Sequence, residues 1–236
     1  MKKLTLLFAG LMLSVAIYAQ QIKDPNVQPR DVKSFHAIKL SSAFDVLLTQ
    51  SNEESVAVSA TDPKYLDGIK VEVRDGTLYI DYDGKGKWNS GNKKLKAYVS
   101  FKQLDKLEAG GACDVDIVGE WKANETTIHL SGASDLKGKV SAKKISLDLS
   151  GASDMKVSGS AVELNIEASG ASKFQGLELE ADYCNAKASG ASEIRININK
   201  EMSVHASGAS DIDYKGKGVI RDLKTSGASS ISRIGS

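Results

Sequence analysis

Histidine is scarce in this chain: His36, His129 and His205 are the only three in 236 residues. No Gly-x-Ser-x-Gly elbow, His-Glu-x-x-His pair or phosphate-binding loop occurs. The common signatures of nucleophilic, zinc-dependent and nucleotide chemistry are therefore missing. Cysteine is limited to Cys113 and Cys184, which allow one disulfide at most. There are three prolines, and none recurs with the repeat described below. No stretch of the regular array shows a helical period of 3.6, which excludes helical repeat architectures. Charge of one sign is also missing. The formal net charge is +1, and it becomes −1 if Lys2 and Lys3 leave with a leader. A near-neutral chain argues against nucleic acid and against nonspecific binding to anionic membranes.

What the chain has is one phrase, repeated. SGASD stands at 131–135 and 150–154, SGASK at 169–173, SGASE at 189–193, SGASD at 207–211 and SGASS at 226–230, after a weaker GGACD at 110–114. The central glycines are Gly111, Gly132, Gly151, Gly170, Gly190, Gly208 and Gly227, spaced by 21, 19, 19, 20, 18 and 19 residues. A near-fixed period of this size marks a solenoid, in which each repeat buries its face by stacking on its neighbours.

The residues between the glycines select the type. Four positions after each glycine stand Val115, Leu136, Met155, Phe174, Ile194, Ile212 and Ile231. Four before the last six stand Ile128, Leu147, Ile166, Ala186, Val204 and Leu223, with polar residues alternating between. That period of 2 is a strand with one face inward. The expectation is an all-β parallel β-helix with about 19 residues per coil. Each coil would hold two short strands and two turns, stacked about 4.8 Å apart. Gly-Ala-Ser would form three ladders, the glycine supplying unusual backbone angles and close approach, the serine bonding turn backbone.

Residues 1–19 have a basic start, an apolar run and a small residue at Ala19, the pattern of a secretory signal peptide with no membrane span left after its removal. Residues 20–31 read as an extended lead-in. Residues 32–110 read as a degenerate N-terminal half of the solenoid, with room for three to four coils, and 111–236 as the regular array. In the N-terminal half, Ser42-Ala43-Phe44-Asp45-Val46 looks like a worn repeat with Ser42 in the glycine place. Residues 69–73 and 77–82 alternate around Arg74-Asp75-Gly76, a hairpin signal. The loop 83–94 carries Trp88 among Lys85, Lys87 and Asn89, a candidate sugar contact in which a ring face lies beside hydrogen-bonding groups.

FHAIKLSSAFDVLL, IKVEVRDGTLYIDY and FKQLDKLEAGGACDVDI, followed by the SGASD repeats, together resemble the bacterial family called "putative auto-transporter adhesin, head GIN domain". The resemblance runs from about Val32 to the end. It implies an exported, right-handed β-solenoid, a role in cell adhesion and no catalytic residues. The nine residues after Gly227 are too few for a membrane barrel within this stretch.

Three further expectations follow from the coil register. His129 and His205 lie four coils apart, about 19 Å, and cannot share one site. Cys113 and Cys184 are likewise beyond disulfide reach and should be free and packed. Three positions after each glycine an acidic column recurs at Asp114, Asp135, Asp154, Glu193 and Asp211, interrupted by Lys173. Calcium could bridge such a column, but a solvated ladder neutralised by Lys173 is the simpler reading, so no metal or cofactor is expected. The function class expected is a non-catalytic exported protein of the periplasm or cell surface, with a glycan or an envelope or host surface protein as partner. A carbohydrate-binding module or relict polysaccharide lyase, and a purely structural periplasmic protein, are the alternatives. The last coil, with Ile231 and Ile234 and no cap after it, is expected to meet a second copy.

Overall fold

The computed structural model describes residues 24–84 and 94–235. Trp88, Lys85, Lys87 and Asn89, and residues 1–23 with the expected signal peptide, lie outside the described residues. From Asp114 onward the chain coils with the period the glycines set. Strands β9 (Asp114–Leu130), β10 (Asp135–Leu149), β11 (Asp154–Ala168), β12 (Lys173–Ala188) and β13 (Glu193–Ala206) each fill one coil and pair in parallel with the next. The last coil is split into β14 (Asp211–Lys215) and β15 (Val219–Thr225), and β16 (Ser230–Arg233) closes the array below β14.

The alternation works as read. Val115, Leu136, Met155, Phe174, Ile194 and Ile212 form one buried inward column, and Ile128, Leu147, Ile166, Ala186 and Val204 another. Each Leu or Ile so buried contributes about 1.5–3 kcal/mol. The expected second turn per coil is absent. Asn124, Lys143, Val162 and Asp182 are left out of the coil-to-coil register, and the inward phase slips there. The strand turns a corner by skipping one residue instead of breaking. Such a corner needs no glycine or proline, so it leaves no turn signal in the sequence.

The N-terminal half departs further from expectation. It contains β1 (Gln28–Arg30), β2 (Ala37–Leu40), β3 (Phe44–Gln50), β4 (Ser55–Ser59), β5 (Ile69–Arg74), β6 (Thr77–Tyr82), β7 (Leu95–Phe101) and β8 (Lys106–Ala109). Only two coils form before the regular array, and they stack out of chain order. The β2–β3 coil lies directly against β8 and β9, and the later β6–β7 pair stacks outside it. The remaining strands are antiparallel: β1 on β4, β4 on β7, and β5 on β6 as the predicted hairpin. With a 3-10 turn at Pro63–Gly68 that buries Tyr65 and Leu66, they close this end of the solenoid. Trp121 fills the core at the junction, its ring edge-on to Phe101 at 5.8 Å and its Nε1–H donating to the Leu104 carbonyl at 3.2 Å.

Candidate functional site

The glycine ladder is a structural turn whose polar groups are spent. All seven glycines have positive φ, from 72° at Gly170 to 87° at Gly111, and Ser42 joins the column at 71°. The N–H of the following alanine donates to the glycine carbonyl one coil back, as in Ala171 to Gly151 and Ala191 to Gly170, both 2.7 Å. The last serine of the phrase is buried, and its hydroxyl closes the turn: Ser172 Oγ donates to the Ser169 carbonyl at 2.8 Å, Ser192 Oγ to that of Ser189 at 2.9 Å. Cys113 occupies this serine column in GGACD, its Sγ 3.4 Å from the Gly110 carbonyl. Aligning the weak copy with the others would have found it.

The acidic column is still broken at Lys173, but its unbroken stretch is longer than expected. Asp45, three residues after Ser42, pairs in register with Asp114, which is followed by Asp135 and Asp154. The worn repeat carried that signal, since Asp45 has the same offset as the others. Four carboxylates thus stand on four consecutive coils. Beside them runs a second outward row, Leu47, Asp116, Lys137, Lys156 and Gln175. Together with Lys96 and Tyr98 these rows line a shallow groove of about 580 Å³.

Its electrostatics follow from the stacking. Partial burial, then the charges of Asp135 and Asp45, push the Asp114 carboxyl above the ordinary aspartate range. Partial burial and Asp135 do the same to Asp154, opposed by a hydrogen bond from Gln175 at 3.2 Å and by Lys173. Lys173 does not neutralise both neighbours by contact. Its ammonium pairs with Glu193 at 2.9 Å, and Glu193 also meets Arg195 at 2.6 Å. Lys137 pairs with Asp116 at 3.1 Å. Among the described residues no three carboxylate, histidine or cysteine groups converge as a metal site. Asp24 anchors the lead-in at the N-terminal rim of this face. Some burial opposes its ionisation, but hydrogen bonds from Ser59 (2.7 Å) and Tyr98 (2.8 Å) hold its carboxyl below the usual range.

The opposite outward face carries His129 and His205, in one column with Glu108, Asp148, Glu167, Lys187 and Lys224. His129 Nδ1 meets Asp148 at 3.0 Å and His205 Nε2 meets Asp222 at 2.8 Å. Each is an outward ion-pairing group on its own coil, and the structure does not bring them together. Further along this face Tyr183 is 43% exposed, between Glu163 and Glu201, with Asn165 and Asn185 beside it in a concavity of about 270 Å³. Cys113 and Cys184 are both free and buried. Burial pushes both thiols up, that of Cys184 to about 12.

The fold and these ladders can now be set beside known proteins. Residues 34–218 match the profile of the family described as "Putative auto-transporter adhesin, head GIN domain". The chain belongs to the head GIN domain family. A solved "putative adhesin" from Bacteroides fragilis superposes with a TM-score of 0.76 at 22% identity, covering 88% of this chain and 96% of that one. A "putative adhesin" from Parabacteroides distasonis gives 0.74 at 17% identity, covering 88% and 96%. A "putative lipid binding protein" from the same species gives 0.65 at 22%, covering 90% and 97%. At these identities the likeness shows the shared solenoid. No functionally curated protein matches. The head GIN family and the adhesin neighbours carry the names of adhesins and not of enzymes, which suits an exported or surface protein. No helix among the described residues is long and apolar enough to cross a membrane.

Proposed function

We propose that this head GIN protein is an exported, non-catalytic recognition module that binds a component of the bacterial envelope or of a host surface through its laddered outer face. The observation that carries this is the groove across the coils of Asp45, Asp114, Asp135 and Asp154. It is shallow, open and rimmed by Lys96, Lys137 and Lys156, with side chains held at strand spacing by the turn ladder behind it. Such a surface suits a polar partner that spans several coils, a saccharide chain or a surface protein. It offers no compact set of nucleophile, base and oxyanion donors of the kind that turnover needs. The test is binding of the labelled chain, from Gln20 onward, to intact cells and to isolated envelopes. Asp114→Asn with Asp154→Asn should weaken binding while the melting curve holds. Unchanged binding by that double variant, or the appearance of cleaved polysaccharide, would refute the reading. Protease shaving of intact cells separates surface display from a periplasmic location.

A carbohydrate-binding reading has its own observation. The exposed Tyr183 ring and the neighbouring Asn165 and Asn185 amides place an apolar face beside hydrogen-bonding groups. A glycan array with Tyr183→Ala tests this subsite independently of the groove. The Trp88 loop is tested by Trp88→Ala on the same array.

A further inference from the structure

Between the Tyr183 row and the histidine row runs a third outward row. Thr127, Ser146, Asn165, Asn185 and Ser203 pair in register on five consecutive coils. Lys106 precedes them and Asp222 follows. The five side chains are uncharged, and each is exposed or half-exposed. In this segment the register from β9 to β13 runs without a shift, since the shifts lie nearer the start of each strand. The row is therefore straight, and its four coil steps cover about 19 Å.

Among the described residues none of these five side chains has a hydrogen-bond partner, although Asn165 and Asn185 stand opposite one another. The serines of the turn phrase differ, as Ser172 and Ser192 are bonded to carbonyls. Asparagine is depleted in strand interiors. Two of them side by side weaken the sheet and gain no bond within it.

The charges that border the row are largely closed on themselves. On one side His129 meets Asp148, Lys187 meets Glu167 at 2.6 Å, and His205 meets Asp222. On the other, Arg221 meets Glu201 at 2.6 Å, while Glu125, Lys144 and Glu163 alternate in sign. Tyr183 stands in this second border between Glu163 and Glu201. The Lys200 ammonium, held by Asp182 at 2.8 Å, lies 5.3 Å from the centre of the Tyr183 ring and fixes its orientation.

We propose that this row is the track of a neutral, extended polysaccharide lying along the solenoid axis, with the Tyr183 ring as its stacking platform. The proposal rests on the carbohydrate-binding reading of the Tyr183 concavity and adds the ligand's charge, direction and length. The charge follows from the chemistry of the row. Its open groups are amides and hydroxyls, its bordering cations are mostly engaged, and Glu163 repels an acidic chain. The direction follows from the straight register. A β-1,4-linked hexose chain is a flat ribbon that advances by about one coil step per residue, so successive sugars meet successive side chains. A coiled α-1,4 chain leaves the row after one or two contacts. The length follows from the charged ends, Lys106 and Asp222, which leave room for five sugars.

Calorimetric titration of the chain from Gln20 onward tests this, with β-1,4-linked oligomers of glucose, mannose and N-acetylglucosamine of increasing length. At least one series should bind, its affinity rising roughly two- to tenfold per residue up to five and levelling beyond. Oligogalacturonates and α-1,4-linked glucose oligomers should bind far more weakly. Asn165→Val with Asn185→Val should weaken binding of the five-residue oligomer roughly tenfold or more. The melting point of that variant should hold or rise, because valine is the better strand former. Tyr183→Ala should weaken oligomers of every length. Affinity that stops rising at two residues, or that falls in Tyr183→Ala but not in the valine pair, would overturn the axial track and leave the Tyr183 subsite standing. A fall in the melting point of the valine pair would show that the asparagines serve the fold, and would overturn the track as well. Binding of acidic or α-linked chains alone would overturn the ligand class. No binding by any of these oligomers would overturn the proposal, and a blank glycan array would remove the carbohydrate reading with it.

Discussion

Two glycines with the same backbone strain but different surroundings separate conformation from packing in this fold. Gly170 has φ +72° and Gly119 has φ +81°, so alanine at either position pays about 1–2 kcal/mol for the left-handed conformation. A Cβ on Gly119 meets nothing within 4 Å. A Cβ on Gly170 would lie 2.5 Å from the Gly151 carbonyl oxygen and 3.1 Å from its nitrogen, both backbone atoms. Relieving that clash forces the two coils apart at the Ala171 N–H to Gly151 carbonyl bond, now 2.7 Å. Overpacking of this kind costs about 1–3 kcal/mol, and the weakened hydrogen bond about 1 more. Gly119→Ala is therefore expected to lose about 1–2 kcal/mol and Gly170→Ala about 3–6. Urea unfolding followed by far-ultraviolet circular dichroism measures both. Because coil interfaces act nearly in series, Gly170→Ala should also lower the cooperativity of the transition. Equal losses in the two variants would refute the claim that the glycine ladder is required by coil-to-coil approach as well as by turn geometry.

Asp135 faces like charges on both sides, so Asp135→Asn should raise stability by about 0.5–1 kcal/mol at low salt, less as salt screens the pair; a lowered stability would contradict the repulsive ladder. The Asp114 and Asp154 carboxyls titrate above the unfolded value of 3.8, so the folded state binds protons first. Their contribution is present below the unfolded value and is lost as pH rises through the folded one. Wild-type stability should thus gain on Asp135→Asn as pH falls toward 3.8, a difference that acid titration of the two melting curves would show. Ser172→Ala removes a buried donor to the Ser169 and Leu149 carbonyls and should cost about 1–3 kcal/mol, whereas Cys113→Ser restores the residue of its column and should be close to neutral; thermal melts compare them. Neither Cys113 nor Cys184 should react with a thiol reagent in the native state, and both should react after denaturation without reductant; an unreactive denatured chain would reveal a disulfide. Melting with calcium and with chelator should coincide.

In the regular array the sequence alone determined nearly everything about the fold. In a parallel, in-register coil a residue's spatial neighbour is the residue one period away, so spacing along the chain becomes contact in space. That is why the inward columns from Val115 to Ile212, the turn glycines and the outward acidic row could be read from the spacing. It is also why the histidines and cysteines could be assigned to separate coils. Where the period is interrupted, the rule has no purchase. Only tertiary packing placed the β2–β3 coil between β6–β7 and β8–β9, because degenerate repeats do not say which neighbour they stack on. That placement brought Asp45 onto Asp114 and so created the run of four carboxylates. The corners at Lys143 and Val162 were likewise decided in three dimensions, since a strand can turn by skipping one pair without any residue that marks a turn. The exposure of Leu223 has the same origin. Its position in the sequence is that of a core residue, yet among the described residues no further coil packs on β15, and the side chain stands half in water.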